Sequence, residues 1–152
     1  MSLETDIKQT IPMQPGTRSV VNLMFTARYV EDRSSGIIKQ HGLTVQQYNV
    51  LRILRGQRGT AANLSTIQER MIDKSSNTTR LVDKLLVKGY ANRQVCPDNR
   101  RKVEIFITPE GLKLLESLDP LVEGQNAAMV ENLSESELDT LNELLDKLRN
   151  SN

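Results

Sequence analysis

Apolar residues recur at helical spacing early in the chain. Val20, Leu23, Met24, Ala27, Val30, Ile37 and Ile38, with Arg28, Asp32 and Arg33 between them, predict a helix over 17–40. Gly42 interrupts it. Thr44, followed three residues later by Gln47, then has the spacing of a reciprocal N-terminal capping box, opening a second helix with Val45, Tyr48, Leu51 and Leu54 inward. The stretch from Gly56 to Thr60 ends that helix. A short third helix starts at Asn63 or Ser65, both good caps, and buries Leu64, Ile67 and Met71. A fourth follows "MIDKS", runs to Lys88 and stops at Gly89. Over residues 90–108 the period changes to two: Val103, Ile105 and Ile107 alternate with Lys102, Glu104 and Phe106, and "CPDN" supplies a tight reversal between two strands.

Helical periodicity then returns. Thr108 caps a fifth helix with Pro109 in its first turn and Glu110 at the positive end of its dipole. It runs toward Val130 with Leu112, Leu115, Leu118 and Val122 on one side, and Pro120 is a candidate kink. Ser134 and Glu137 form another capping box, flanked by Leu133 and Leu138, before a last helix bearing Leu138, Leu141, Leu145 and Leu148. Residues 1–15 carry Pro12 and Pro15 and little periodicity, which predicts a loose N-terminal arm. The fold class that follows is α+β, mainly α, in a single domain of 152 residues.

The fourth helix is two-faced. At about 100° per residue, Thr78, Leu81, Val82 and Leu85 share the core side, while Ser76, Asn77, Arg80, Lys84 and Val87 point away. A short helix, a tight turn and a second helix exposing amide, hydroxyl and cationic side chains are the parts of helix-turn-helix DNA recognition. Asn suits adenine, Arg suits guanine, and hydroxyls suit phosphates or either base edge. The same face fits a merely solvated polar surface equally well. The strand pair decides between them, because Arg100, Arg101 and Lys102 stand together on its exposed turn, where such charge suits phosphates or a narrow minor groove. Asp98, two residues before Arg100, is placed to fix the arginines by an ion pair.

Net charge argues against an anionic partner until it is divided. The chain has 20 Lys+Arg and 19 Asp+Glu, for a net charge of +1. Residues 1–62 hold 8 basic and 4 acidic groups, 63–103 hold 9 and 4, and 104–152 hold 3 and 11, so the three segments carry +4, +5 and −8. A basic front and an acidic end place an anion on one face only. No apolar run reaches the roughly 18 residues of a membrane helix and no signal-peptide plan opens the chain, so a cytoplasmic protein without membrane contact is expected. Cys96 is the only cysteine and His41 the only histidine, which excludes an internal disulfide and a His-rich metal site. With no nucleophile elbow and no phosphate-binding glycine loop either, neither catalysis nor a cofactor is expected.

A helix-turn-helix followed directly by a basic hairpin is a winged helix. "LTVQQYNVLRIL" (43–54), "TTRLVDKLLVKGYANR" (78–93) and "DNRRKVEIFITPEG" (98–111), in that order and spacing, resemble the MarR (multiple antibiotic resistance regulator) family of bacterial transcription factors. The resemblance implies a homodimer on palindromic DNA, with the recognition helix in the major groove and the wing in the flanking minor groove. By position, Ser75, Ser76, Asn77, Thr79, Arg80 and Lys84 would take the first role, and Asp98, Arg100, Arg101 and Lys102 the second. Residues 43–108 then form the DNA-binding part, and 17–40 with 109–150 the dimerisation part.

The apolar stripes lead to the same assignment. Helices outside a small winged core have little in one chain to cover them, and burying even six leucine-sized side chains is worth on the order of 10 kcal/mol before entropy costs. A twofold interface covers them and matches a palindromic operator. The expected function is transcriptional regulation, as a repressor, with possible release by a small aromatic or phenolic effector bound between the dimer helices and the winged part. A winged helix that docks on protein and never touches DNA is the alternative. Peroxide-sensing family members carry a cysteine near the start of the first helix. This chain has none there, and Cys96 in the wing turn reads as an incidental thiol.

Overall fold

The computed structural model describes residues 2–150. Seven helices and one hairpin follow in the order α1 (Leu3–Asp6), α2 (Pro15–Gln40), α3 (Val45–Gly56), α4 (Leu64–Arg70), α5 (Thr78–Val87), β1 (Ala91–Cys96), β2 (Asn99–Ile107), α6 (Pro109–Met129) and α7 (Glu135–Arg149). Both capping boxes form: Thr44 with Gln47 opens α3, and Ser134 with Glu137 opens α7. In the second box the Ser134 backbone N–H, then its hydroxyl, hold the Glu137 carboxylate below its ordinary pKa. Gly89 takes φ +77°, the left-handed conformation that ends α5 and turns the chain into β1.

Leu51, Leu54, Ile67, Met71, Val82, Leu85 and Ile105 are fully or almost fully buried in one cluster that unites α3, α4, α5 and β2. The strands pair antiparallel with Ala91 opposite Ile107 and Val95 opposite Val103, and the register slips between Val95 and Cys96 next to the Pro97–Asp98 turn. Ala62 adds a one-residue third strand: its N–H donates to the Ile105 carbonyl at 3.0 Å and its carbonyl accepts from Ile105 at 2.7 Å. That bridge pins the base of the wing beneath the helix-turn-helix, and the two-strand expectation lacked it.

Two packing relationships reach beyond the local sequence pattern. Residues 2–10 of the arm are not without contacts: Leu3 is buried, and Arg18 of α2 donates to both carboxylate oxygens of Glu4 at 2.5 and 3.3 Å, holding that carboxyl down at about 2. Met1 lies outside the described residues. Nor are α2 and α6 wholly outside the winged core. Ile38, Leu115 and Leu118 are buried in the same cluster as α3 and α5, and Arg55 of α3 reaches Asp119 of α6 through two hydrogen bonds of 2.6 and 3.1 Å. The division between 43–108 and the flanking helices therefore cuts through one core, because the first half of α6 completes it. The helix continues through Pro120.

The "ITPEG" segment locks this junction. Thr108 Oγ1 accepts from the Gly111 N–H at 3.1 Å and donates to the Gly89 carbonyl at 2.7 Å, while the Thr108 N–H donates to the Tyr90 carbonyl at 3.1 Å. A Cβ on Gly111 would sit 2.5 Å from the Tyr90 carbonyl oxygen, so only glycine lets α6 start this close to the end of α5.

Beyond the junction, apolar surface is left uncovered. α7 has no buried residue, and Leu141, Leu144 and Leu148 are exposed along it. Val20, Met24 and Phe25 do the same on α2.

Candidate nucleic-acid interface

The turn into α5 is built on one carboxylate. Asp73 Oδ1 accepts the Ser75 N–H at 2.9 Å and the Ser75 hydroxyl at 2.6 Å, and those two bonds hold the Asp73 carboxyl below its ordinary pKa. The Asp73 backbone carbonyl takes the Ser76 N–H at 3.2 Å. Asn77 is then the N-cap, its Oδ1 accepting the Arg80 N–H at 3.1 Å. Ser75, Ser76 and Asn77 therefore belong to the turn and cap, not to the exposed face of a helix starting after Ser75. Ser76 corrects the reading further: it is half-buried, and its Oγ is shut off from solvent.

Within α5 the face is as its periodicity predicts. Thr78, Val82 and Leu85 are buried, and Thr79, Arg80, Asp83, Lys84 and Val87 are exposed. Arg80 and Lys84, one turn apart, form no ion pair among the described residues. Asp83 does, with Arg93 of β1 at 3.5 Å, which ties the recognition helix to the wing. Arg80 and Lys84 line a cavity of about 430 Å³ with polar residues that include Thr44, Gln46, Asp73, Ser75 and Asn77. Thr44 and Gln46 at the start of α3 were not among the sequence-predicted site residues. No local spacing signals this, because the start of α3 and the Asp73–Asn77 turn lie more than 25 residues apart and meet only in the folded chain.

Arg100, Arg101 and Lys102 are all exposed at the tip of the wing, again without an ion pair among the described residues. They do not form one cluster. Side chains alternate along a strand, so Arg101 shares the face of Val103 and Ile105, and Arg100 and Lys102 take the other. Asp98 forms no ion pair with Arg100. The local order comes from Asn99 instead, whose Oδ1 accepts the Arg101 N–H at 3.1 Å. Asp98 sits in the two-residue turn itself, and the expected ion pair is corrected to an Asn99 turn bond.

His41 Nδ1 lies 2.9 Å from the Ile37 carbonyl oxygen at the end of α2. No helix among the described residues is long and apolar enough to cross a membrane.

The fold and this cationic face define a winged helix-turn-helix DNA-binding protein. The MarR family model matches residues 43–103. The HTH-type transcriptional regulator MhqR of Bacillus subtilis (strain 168) is 30% identical over 121 residues, spanning 80% of this chain and 82% of that protein. A MarR transcription factor of Planctomyces limnophilus superposes with a TM-score of 0.70 at 30% identity, over 90% of this chain and 98% of that one. BpsR of Bordetella bronchiseptica, whose DNA binding is regulated by 6-hydroxynicotinic acid, superposes at 0.80 with 23% identity, over 93% and 100%. The chain belongs to the MarR family of transcriptional regulators and is not an enzyme.

Proposed function

We propose that this regulator is a homodimeric repressor that binds a palindromic operator, with Thr79, Arg80 and Lys84 of α5 in the major groove and Arg100, Arg101 and Lys102 in the flanking minor groove. Asn77 contributes through its free Nδ2, and Ser75 and Asp98 shape the turns that carry these groups. The observation that carries the reading is the pair Arg80 and Lys84: two exposed cations a turn apart on α5, neither held in an ion pair among the described residues. Uncovered leucines on α7 and apolar residues on α2 support the dimer, because an exposed face of that kind is stable in water only when something covers it.

Release by a small ligand has its own support. A second, mostly apolar cavity of about 680 Å³ lies between α2, α3 and the 71–73 segment, a size that suits a drug-sized compound. Gln46 and Asp73 line both this cavity and the one beside Arg80. Asn49, also in its wall, accepts the Ile72 N–H at 2.9 Å. A ligand here presses on the turn that sets the start of α5, which is a direct route from binding to loss of DNA contact. The regulated DNA binding of BpsR is a parallel case.

Salt titration of binding to promoter DNA, with sedimentation to fix the oligomeric state, tests the reading. The expected result is a dimer whose affinity falls steeply with salt. A monomer, or binding indifferent to salt, contradicts it, and a wing that captures protein but not DNA favours protein docking.

A further inference from the structure

The lining of the apolar cavity also limits what can enter it, and this step rests on its reading as the effector site. Leu23, Ala27, Val30 and Met71 supply apolar wall, and the only charged groups lining the cavity are Glu31 and Asp73. No Lys, Arg or His lines it among the described residues. Arg28 lies outside the lining, where it is shared between Glu31 at 3.4 Å and Asp32 at 3.1 Å, so one cation answers two carboxylates. Asp73 is engaged only by neutral donors. An organic acid in this space would lose its hydration and meet two carboxylates with no cation in the lining to replace the water, since Arg80 and Lys84 stand on the other side of Asp73 in the neighbouring cavity, whereas an ammonium group would meet opposite charge and an uncharged ring would pay neither cost.

We propose that this cavity takes an uncharged or cationic apolar compound and rejects carboxylates, with Asp73 as the residue that sets the sign. This departs from the acid that regulates BpsR. Three probes with one skeleton test it on the full chain: 2-naphthylmethanol, 2-naphthylmethylammonium and 2-naphthoate. Because the chain has no Trp, naphthalene fluorescence reads binding directly. The two ions pay comparable desolvation, so their order of affinity reports the sign of the local field. The alcohol and the ammonium should bind, with naphthoate about tenfold or more weaker, as expected for a unit charge a few ångströms from a carboxylate. Asp73→Asn, which keeps an acceptor for Ser75, should narrow the gap between the two ions. Ala27→Phe, which narrows the cavity and adds no Trp, should abolish binding of the alcohol.

Naphthoate binding as tightly as the ammonium overturns the ligand class and leaves the effector site standing. Alcohol binding that persists in Ala27→Phe overturns the site. Tight, Ala27-dependent binding that leaves DNA affinity unchanged overturns the effector reading but not the ligand class, and binding of none of the three overturns both.

Discussion

Asn77 Oδ1 accepts the backbone N–H of Arg80 at 3.1 Å, so the residue that opens the recognition helix also fixes the residue best placed to read a base. The accepting end of its carboxamide, Oδ1, is spent inside the protein, and only the donating Nδ2 is left for DNA. Loss of an N-cap costs about 1 kcal/mol. Asn77→Ala should therefore lower the melting temperature and weaken binding to all sequences, while Asn77→Ser should recover the stability. If Asn77→Ser also recovers full discrimination among operator variants, Nδ2 reads no base.

Arg80 and Arg101 should fail in different ways. Arg80→Ala is expected to cost about 1–3 kcal/mol and to relax preference at one base position, measured across single-base operator variants. Arg101→Ala should weaken binding to every variant alike and lower the magnitude of the salt slope by about one. Equal losses on all variants from both substitutions would remove the division between helix and wing.

Gly111 offers a prediction about stability alone. With a Cβ 2.5 Å from the Tyr90 carbonyl, Gly111→Ala must push α6 away from the α5–β1 junction, at a cost of about 1–3 kcal/mol despite the higher helix propensity of alanine. Chemical denaturation measures it. An unchanged midpoint would mean that the junction gives way freely.

Acid should loosen the N-terminal segment first. The Arg18 side chain holds Glu4 down at about 2, against an ordinary glutamate near 4.3. A depressed carboxylate contributes stability that is present above its unfolded value and lost as pH falls toward its folded one. The Leu3–Asp6 helix should thus stay docked at neutral pH and detach between about pH 4 and pH 2. Glu4 resonances followed by NMR should titrate in that window, and Arg18→Ala should return the titration to the ordinary range.

Much of this architecture is legible in the sequence, and the misses have physical reasons. Periodicity placed every long helix, and capping boxes at Thr44 and Ser134 placed two starts, because each depends on neighbours three or four residues apart. The start of α5 was set too early. Ser75 and Ser76 are polar and follow the turn, but Asp73 diverts Ser75 into a side-chain turn and the cap falls to Asn77, a competition that residue types alone do not settle. Leu115 and Leu118 read correctly as a buried stripe. The α3 members of the core they join, Leu51 and Leu54, lie about 60 residues away in sequence, and no local pattern reports it. The Ala62 bridge to Ile105 is missed for the same reason. On the wing, the three adjacent cations and their division between two faces are both legible, since the alternation of Val103 and Ile105 with Lys102 and Glu104 already sets the faces.

The central claim is that two copies of this chain present Arg80, Lys84 and the wing cations to one duplex. Selection of bound sequences from random DNA tests it most directly. The predicted result is a twofold-symmetric site whose half-sites are centred about one helical turn apart, with Arg80→Ala blurring the same position in both halves. Enrichment of an asymmetric sequence, or no enrichment over the starting pool, would contradict it.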